Sequence, residues 1–245
     1  MQKQIKKLMQ AILALLALSP LSLAQQLFSP DANIYSFRQI QTLSGWQSCG
    51  SCAGSGGAGP SSTHTMTRFI SSPSLSGASA QFYMSSSSSY ANALWWKQLG
   101  RHDGMTKFLY DVFFFIKNPA ASQALEFDVN YADGTHRWIF GTQCNIAGGH
   151  WDIYANASGG WRSTGIGCAA PKAFTWHHLI WEFKRSSGQV VFVAFTYDGV
   201  RHTINRSFPA KSASVHELNV AFQMDMTKNH VSYSTWLDKV TLQVQ

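Results

Sequence analysis

The chain has 245 residues, a formal net charge of +7 and only 13% charged side chains, about half the usual share. An equal share of aromatics, with nine Trp and sixteen Phe, excludes a disordered chain, which needs low hydrophobicity and high charge. No heptad persists, which excludes a coiled coil, and the basic residues are scattered, which argues against nucleic acid as a partner.

Residues 1–24 read as a signal peptide. Lys3, Lys6 and Lys7 precede an apolar stretch from Leu8 to Leu18, and Ser22-Leu23-Ala24 offers small residues for cleavage. Ser19 and Pro20 break the run short of the roughly 20 residues of a spanning helix, so no membrane is expected as a partner once it is cleaved. Loss of the three lysines lowers the formal charge to +4, and the expected location is secreted or periplasmic. In an exported chain Cys49, Cys52, Cys144 and Cys168 read as two disulfides with three possible pairings. Cys49–Cys52 and Cys144–Cys168 are favoured. The Gly-rich flanks of Cys49 cannot start the helix a redox Cys-x-x-Cys requires, and Cys144 and Cys168 do not form a second close pair for zinc.

Residues 25–64 read as an N-terminal segment followed by a Gly/Ser-rich surface loop, and residues 65–245 as one β domain. Met66–Ile70, Ala80–Met84, Ala93–Leu99 and Lys107–Lys117 are the first strand candidates. Leu125–Asn130, His136–Cys144, Trp151–Tyr154, Thr175–Arg185, Val190–Tyr197, Val200–Ser207, Glu217–Met226 and Ser234–Val244 follow. Asp133-Gly134 and Asp198-Gly199 predict two-residue hairpin turns. Strands of this number without a long amphipathic helix predict an all-β fold: a two-sheet antiparallel β-sandwich of jelly-roll type.

Alternation assigns faces. Leu125, Phe127 and Val129 point one way, and Glu126, Asp128 and Asn130 the other. A two-residue turn at Asp133-Gly134 pairs Val129 with Trp138, Asp128 with Ile139 and Glu126 with Gly141, which carries the polar row on through Arg137 and Gln143. Asn219, Ala221, Gln223 and Asp225 form a second polar row opposite Leu218, Val220, Phe222 and Met224. Trp176, His178, Ile180 and Glu182 alternate with His177, Leu179, Trp181 and Phe183, with a His and a Trp on each side. Carboxylates and amides take bidentate hydrogen bonds from sugar hydroxyls, and indole rings stack on sugar C–H faces, with Trp95, Trp96, Trp151 and Trp161 as candidate platforms. The plainer alternative is a solvated face on which Arg137 neutralises Glu126 or Asp128.

The run Ala124-Leu125-Glu126-Phe127-Asp128-Val129-Asn130 and the closing Ser234-Thr235-Trp236-Leu237-Asp238-Lys239-Val240-Thr241-Leu242 resemble the concanavalin A-like lectin/glucanase superfamily. The resemblance implies a jelly roll of two curved sheets with a glycan on the concave face. In its legume-type lectins a Glu-x-Asp strand binds calcium and a transition metal, and Glu126, Asp128, Asn130, Asp133 and His136 occur here in the same order. The loop is shorter, so no cofactor is expected, with calcium as the alternative. In its glucanases the strand reads Glu-x-Asp-x-x-Glu. Glu126 and Asp128 match, the third position has no carboxylate, and Asp225 or Glu182 is left to supply one. Jelly-roll lyases use residues of the types of Arg137, Gln143, His178 and Tyr154.

The expectation is a carbohydrate-binding, lectin-like protein whose partner is a polysaccharide. Asp128, Arg137, Gln143, Trp151, His178 and Gln223 would contact the glycan. The alternatives are a glycoside hydrolase or lyase with Glu126 and Asp225 as proton-transfer groups, and a structural surface or adhesion protein.

Overall fold

The computed structural model describes residues 27–29, 32–52 and 59–245; the expected signal peptide lies outside them. In chain order the strands are β1 (Tyr35–Phe37), β2 (Trp46–Cys49), β3 (Thr63–Ile70), β4 (Ser79–Ser85), β5 (Asn92–Gly100) and β6 (Lys107–Ile116). Then come β7 (Ser122–Asp133), β8 (His136–Phe140), β9 (Thr142–Asn145), β10 (His150–Tyr154), β11 (Trp161–Gly167) and β12 (Thr175–Ser186). The last are β13 (Gln189–Tyr197), β14 (Val200–Pro209), β15 (Lys211–Ser212), β16 (His216–Met226) and β17 (Tyr233–Val244).

They form two antiparallel sheets. One runs β14-β13-β12-β6-β17-β4-β3 with β1 beside β17; the other runs β11-β10-β9-β7-β16-β5-β2, with β8 beside β7 and β15 beside β8. The fold is an all-β jelly-roll sandwich. Among the described residues no helix is long and apolar enough to cross a membrane.

The apolar rows predicted by alternation meet between the sheets. Phe114 of β6 packs on Phe127 of β7 with ring centroids 5.2 Å apart, Phe82 of β4 on Phe222 of β16 at 5.0 Å, and Phe140 of β8 on Phe183 of β12 at 4.9 Å. All six rings are fully buried. Each contributes about 1.5–3 kcal/mol by leaving water, which fixes the facing of every strand that carries one. Glu126, Asp128, Gln223 and Asp225 are thereby forced onto the outer face of the β7 sheet.

The region read as a surface loop begins with a strand. Trp46 anchors β2: its Nε1 donates to Ile40 O at 3.1 Å and its ring meets Phe82 at 5.7 Å, while its backbone pairs with Lys97 of β5. Cys49 is bonded to Cys52 and Cys144 to Cys168. The second bridge ties β9 to the chain just after β11, a strand without a sequence prediction.

Asp198-Gly199 forms the expected two-residue turn, with Tyr197 opposite Val200 and both turn residues at positive φ. Asp133-Gly134 does not. Asp133 Oδ1 accepts from Thr135 N and His136 N, both at 3.1 Å, and from Thr135 Oγ1 at 2.7 Å. This closes a four-residue turn and pairs Ala132 with Arg137, Val129 with Phe140 and Glu126 with Gln143. The register moves by two residues, so each side chain keeps its predicted face.

Candidate functional site

Side chains of four neighbouring strands form one polar row on the outer face of the β7 sheet. Backbone register sets Gln223 of β16 opposite Glu126 of β7, Glu126 opposite Gln143 of β9, and Gln143 opposite Asp152 of β10. Asp225 stands one step along the same face of β16. These residues, with Asn92, Asn145, Tyr90 and Trp161, line a groove of about 320 Å³. Tyr90 is half exposed at its mouth.

The floor is bonded internally. Gln223 Nε2 donates to Glu126 Oε1 at 2.5 Å and to Asp225 Oδ1 at 3.0 Å. Gln143 Nε2 and Asn145 Nδ2 both donate to Asp152 Oδ2, at 2.8 and 3.1 Å. Asp152 Oδ1 lies 2.7 Å from His150 Nδ1. Glu126 Oε2 and Gln223 Oε1 are buried with no partner.

Burial, then the nearby charges of Asp225 and Asp128, push Glu126 well above the usual carboxylate range. Burial also raises Asp225, to about 7, against the Gln223 hydrogen bond that favours its charged form. Both carboxyls thus favour their protonated forms, and the two share the Gln223 amide, so near neutral pH the pair favours keeping a proton.

A second hollow of about 270 Å³ continues along the same face, lined by Asp128, Asn130, Arg137, Glu217, Trp96 and Tyr154 among others. Here several polar groups are matched within the chain. Arg137 pairs with Glu217 at 2.7 Å. Asp128 Oδ1 accepts from Thr142 N at 2.9 Å, bridging the break between β8 and β9, and Asn130 Nδ2 donates to Asn219 Oδ1 at 2.9 Å.

The structure thus brings Glu126, Gln143, Gln223 and Asp225 into one groove and sets Asp128 and Arg137 in its extension. Two expected residues lie elsewhere. Trp151 is 1% exposed and packed in the core against Trp181 and Phe195, so its ring cannot stack on a ligand. His178 lies on β12, on the outer face of the opposite sheet, where it bonds Asp111 at 2.8 Å. Trp95 is also a core residue, whereas Trp96 and Trp161 face the two hollows. Arg137 and His178, two of the four lyase-type residues, therefore stand on different sheets.

The legume-lectin metal set does not assemble. Asp133 is held in its turn and by Arg185 Nη1 at 2.9 Å. Burial alone would raise its carboxyl, but the Thr135 and His136 bonds and the Arg185 charge bring it down to about 2. Among the described residues no three His, Cys, Asp or Glu side chains converge as a metal site requires.

Asp152, Asn145, Asn92 and Tyr90 had no sequence prediction. A signal for Asp152 was present: in His150-Trp151-Asp152-Ile153-Tyr154 the alternation that buries Trp151 and Ile153 turns Asp152 outward.

No family model and no curated protein matches the chain. Among solved structures it is similar to a carbohydrate-binding module of the β-sandwich superfamily, at 9% identity and a TM-score of 0.44; the match covers 82% of this chain and 57% of that one, little over half its length. It is similar to the endo-β-1,4-glucuronan lyase of the fungus Trichoderma reesei, at 10% identity over 84% of this chain and 94% of that one, TM-score 0.49. It is also similar to arcelin-5, a lectin-like defence protein of Phaseolus vulgaris, at 10% identity over 87% and 99% of the two chains, TM-score 0.49.

Proposed function

We propose that this is an exported carbohydrate-binding protein that takes a polysaccharide along the outer face of the β7 sheet. The observation that carries the reading is the groove of about 320 Å³ in which three carboxyls and several amides lie beneath Trp161 and Tyr90. Carboxyl and amide oxygens fix hydroxyl hydrogens, and the two rings give the apolar face of a pyranose a surface to stack on. The adjoining hollow extends the same face, as a ligand longer than one sugar requires. The two disulfides suit an oxidising compartment.

One observation favours a second reading, glycoside hydrolysis. Glu126 Oε1 and Asp225 Oδ1 bond the same amide nitrogen, which keeps them within about 5.5 Å of each other. Retaining glycosidases hold their nucleophile and acid about 5–5.5 Å apart, and a pair that retains a proton at neutral pH has an acid to offer.

Retention on a panel of insoluble and soluble glycans tests the first reading, and release of reducing ends tests the second. We expect retention without release. Trp161→Ala should weaken binding about tenfold, the effect of one lost stacking contact. New reducing ends that vanish in Glu126→Gln would turn the assignment to hydrolysis. Failure of every glycan to bind would end both.

A further inference from the structure

The hydrogen bonds on the groove floor all run in one sense. Both hydrogens of Gln223 Nε2 are directed at carboxyls, one to Glu126 and one to Asp225. Gln143 and Asn145 turn their NH₂ groups onto Asp152. Asn145 Oδ1 in turn accepts from Gly148 N at 2.8 Å. Two oxygens left without a partner in the chain are Gln223 Oε1 and Glu126 Oε2, on side chains 2% and 1% exposed. Among the described lining residues there are three acids, Glu126, Asp152 and Asp225, and no Lys, Arg or His. His150 reaches Asp152 from two residues before it on β10, and among the described residues the Glu126–Asp225 pair has no cation against it.

We infer that the glycan taken by this groove carries a free ammonium group, as a chain of 2-amino-2-deoxyhexose does; this deepens the binding reading above and rests on it. The choice follows from donor and charge accounting. A uronate would add a negative charge to a buried acid pair. A neutral hydroxyl supplies a donor but no charge, so beside it the acid pair would have to keep its own proton. An ammonium supplies three donors, no acceptor and the missing positive charge. Trp161 and Tyr90 at the mouth then offer ring faces that attract both a cation and a sugar C–H face.

Binding of the cation favours the charged form of the pair and drives off its proton. The groups that face the pair are Asp128 on β7, Gln223 on β16, Gln143 on β9, Asp152 with His150 on β10, Asn92 on β5, Tyr233 on β17, and the Tyr90 hydroxyl at the mouth. Of these only His150 can carry a positive charge, and it stands against Asp152 and not against the pair. Complex formation should therefore release protons to the buffer, and affinity should rise with pH while the pair is still protonated in the free protein.

Titration calorimetry of the protein at pH 6 tests this with four probes: hexamers of β-1,4-linked glucosamine, N-acetylglucosamine and glucose, and spermidine as an amine without a sugar. Two buffers of different ionisation enthalpy report the proton count. We expect the glucosamine hexamer to bind at least about tenfold more tightly than either neutral hexamer, the range of one charge-assisted hydrogen bond. It should release protons, and Asp225→Asn should shrink the ratio towards one. The comparison among probes needs no variant. A neutral hexamer bound as tightly as the glucosamine hexamer would overturn the ammonium inference and leave the glycan reading standing. Spermidine bound equally well would overturn it too, by making the sugar irrelevant. Silence from all three sugars would overturn the ammonium inference and leave the glycan reading to the panel above.

Discussion

Glu182 on the outer face of the β6 sheet and Glu126 on the outer face of the β7 sheet are equally buried, at 2% and 1% exposure, and they meet opposite company. Arg201 of β14 grips Glu182 with two parallel bonds of 2.9 and 3.0 Å. On the same face His178 bonds Asp111 at 2.8 Å and stacks on Phe113. Glu126 instead shares an amide with a second acid. The hydrogen bond to Glu182 stabilises the charged Arg201, whereas burial and like charge destabilise a charged Glu126. Burial of an acid therefore does not by itself fix its electrostatic state. The distinguishing feature is whether the chain supplies the opposite charge.

The largest test of this contrast is removal of the cation from the matched face. Arg201→Met leaves Glu182 buried and unpaired, and should cost about 3 kcal/mol of folding stability, the lower end for a broken buried pair because Arg201 keeps partial contact with water. Urea unfolding measures it. A loss below about 1 kcal/mol would show that Glu182 needs no partner, and the two faces would no longer differ in kind.

On the unmatched face the sign should reverse. Glu126→Gln removes a carboxyl that burial forces to take up a proton, and should stabilise the chain by about 1–2 kcal/mol at neutral pH while weakening the ligand. The pH dependence follows from the same shifts. A folded carboxyl raised above its unfolded value stabilises fully below that value, about pH 4, and the contribution is lost as pH rises through the folded value, about 7 for Asp225. Wild type should thus lose stability relative to Asp225→Asn between about pH 4 and 7. Asp198 works in the other direction. Burial would raise it, but the bonds from His177 and the His178 backbone lower it, so its contribution is present above the free Asp value and disappears on acidification. A difference curve that is flat from pH 4 to 7 would contradict the raised pair.

Alternation made Glu126, Asp128, Gln223 and Asp225 legible as outward groups, because buried partners such as Phe127 and Phe222 cannot be turned to water cheaply. It could not tell which sheet a strand joins. His178 alternates as a polar-row residue should, but β12 pairs with β6 and β13, and that choice depends on contacts far along the chain. Trp151 misled for a related reason. An indole was read as a sugar platform when its own strand placed Asp152, not Trp151, on the outer face. Tyr90 sits before β5 at φ 59, a backbone state that local pattern does not announce for a bulky residue. β2 and β11 are the end strands of their sheet's order, where Ser and Gly blur the alternation.

The two Asp-Gly hairpins carry the same contrast to its smallest scale. Asp198-Gly199, on the β6 sheet, forms its turn from local chemistry. Gly199 sits at φ 84 with nothing within 4 Å of an added Cβ, so Gly199→Ala should cost about 1 kcal/mol, from backbone strain alone. Gly134, on the β7 sheet, sits at φ 89, but a Cβ there would stand 2.5 Å from His216 Nε2, and His216 Nδ1 bonds Asp103 at 2.9 Å. Gly134→Ala should therefore cost more, since the ring must move and its Asp103 contact with it. Thermal unfolding of the two variants separates the contributions. Equal losses would mean that the wider Asp133 turn is as local as the narrow one, and that His216 does not help to hold the edge of the groove-bearing sheet.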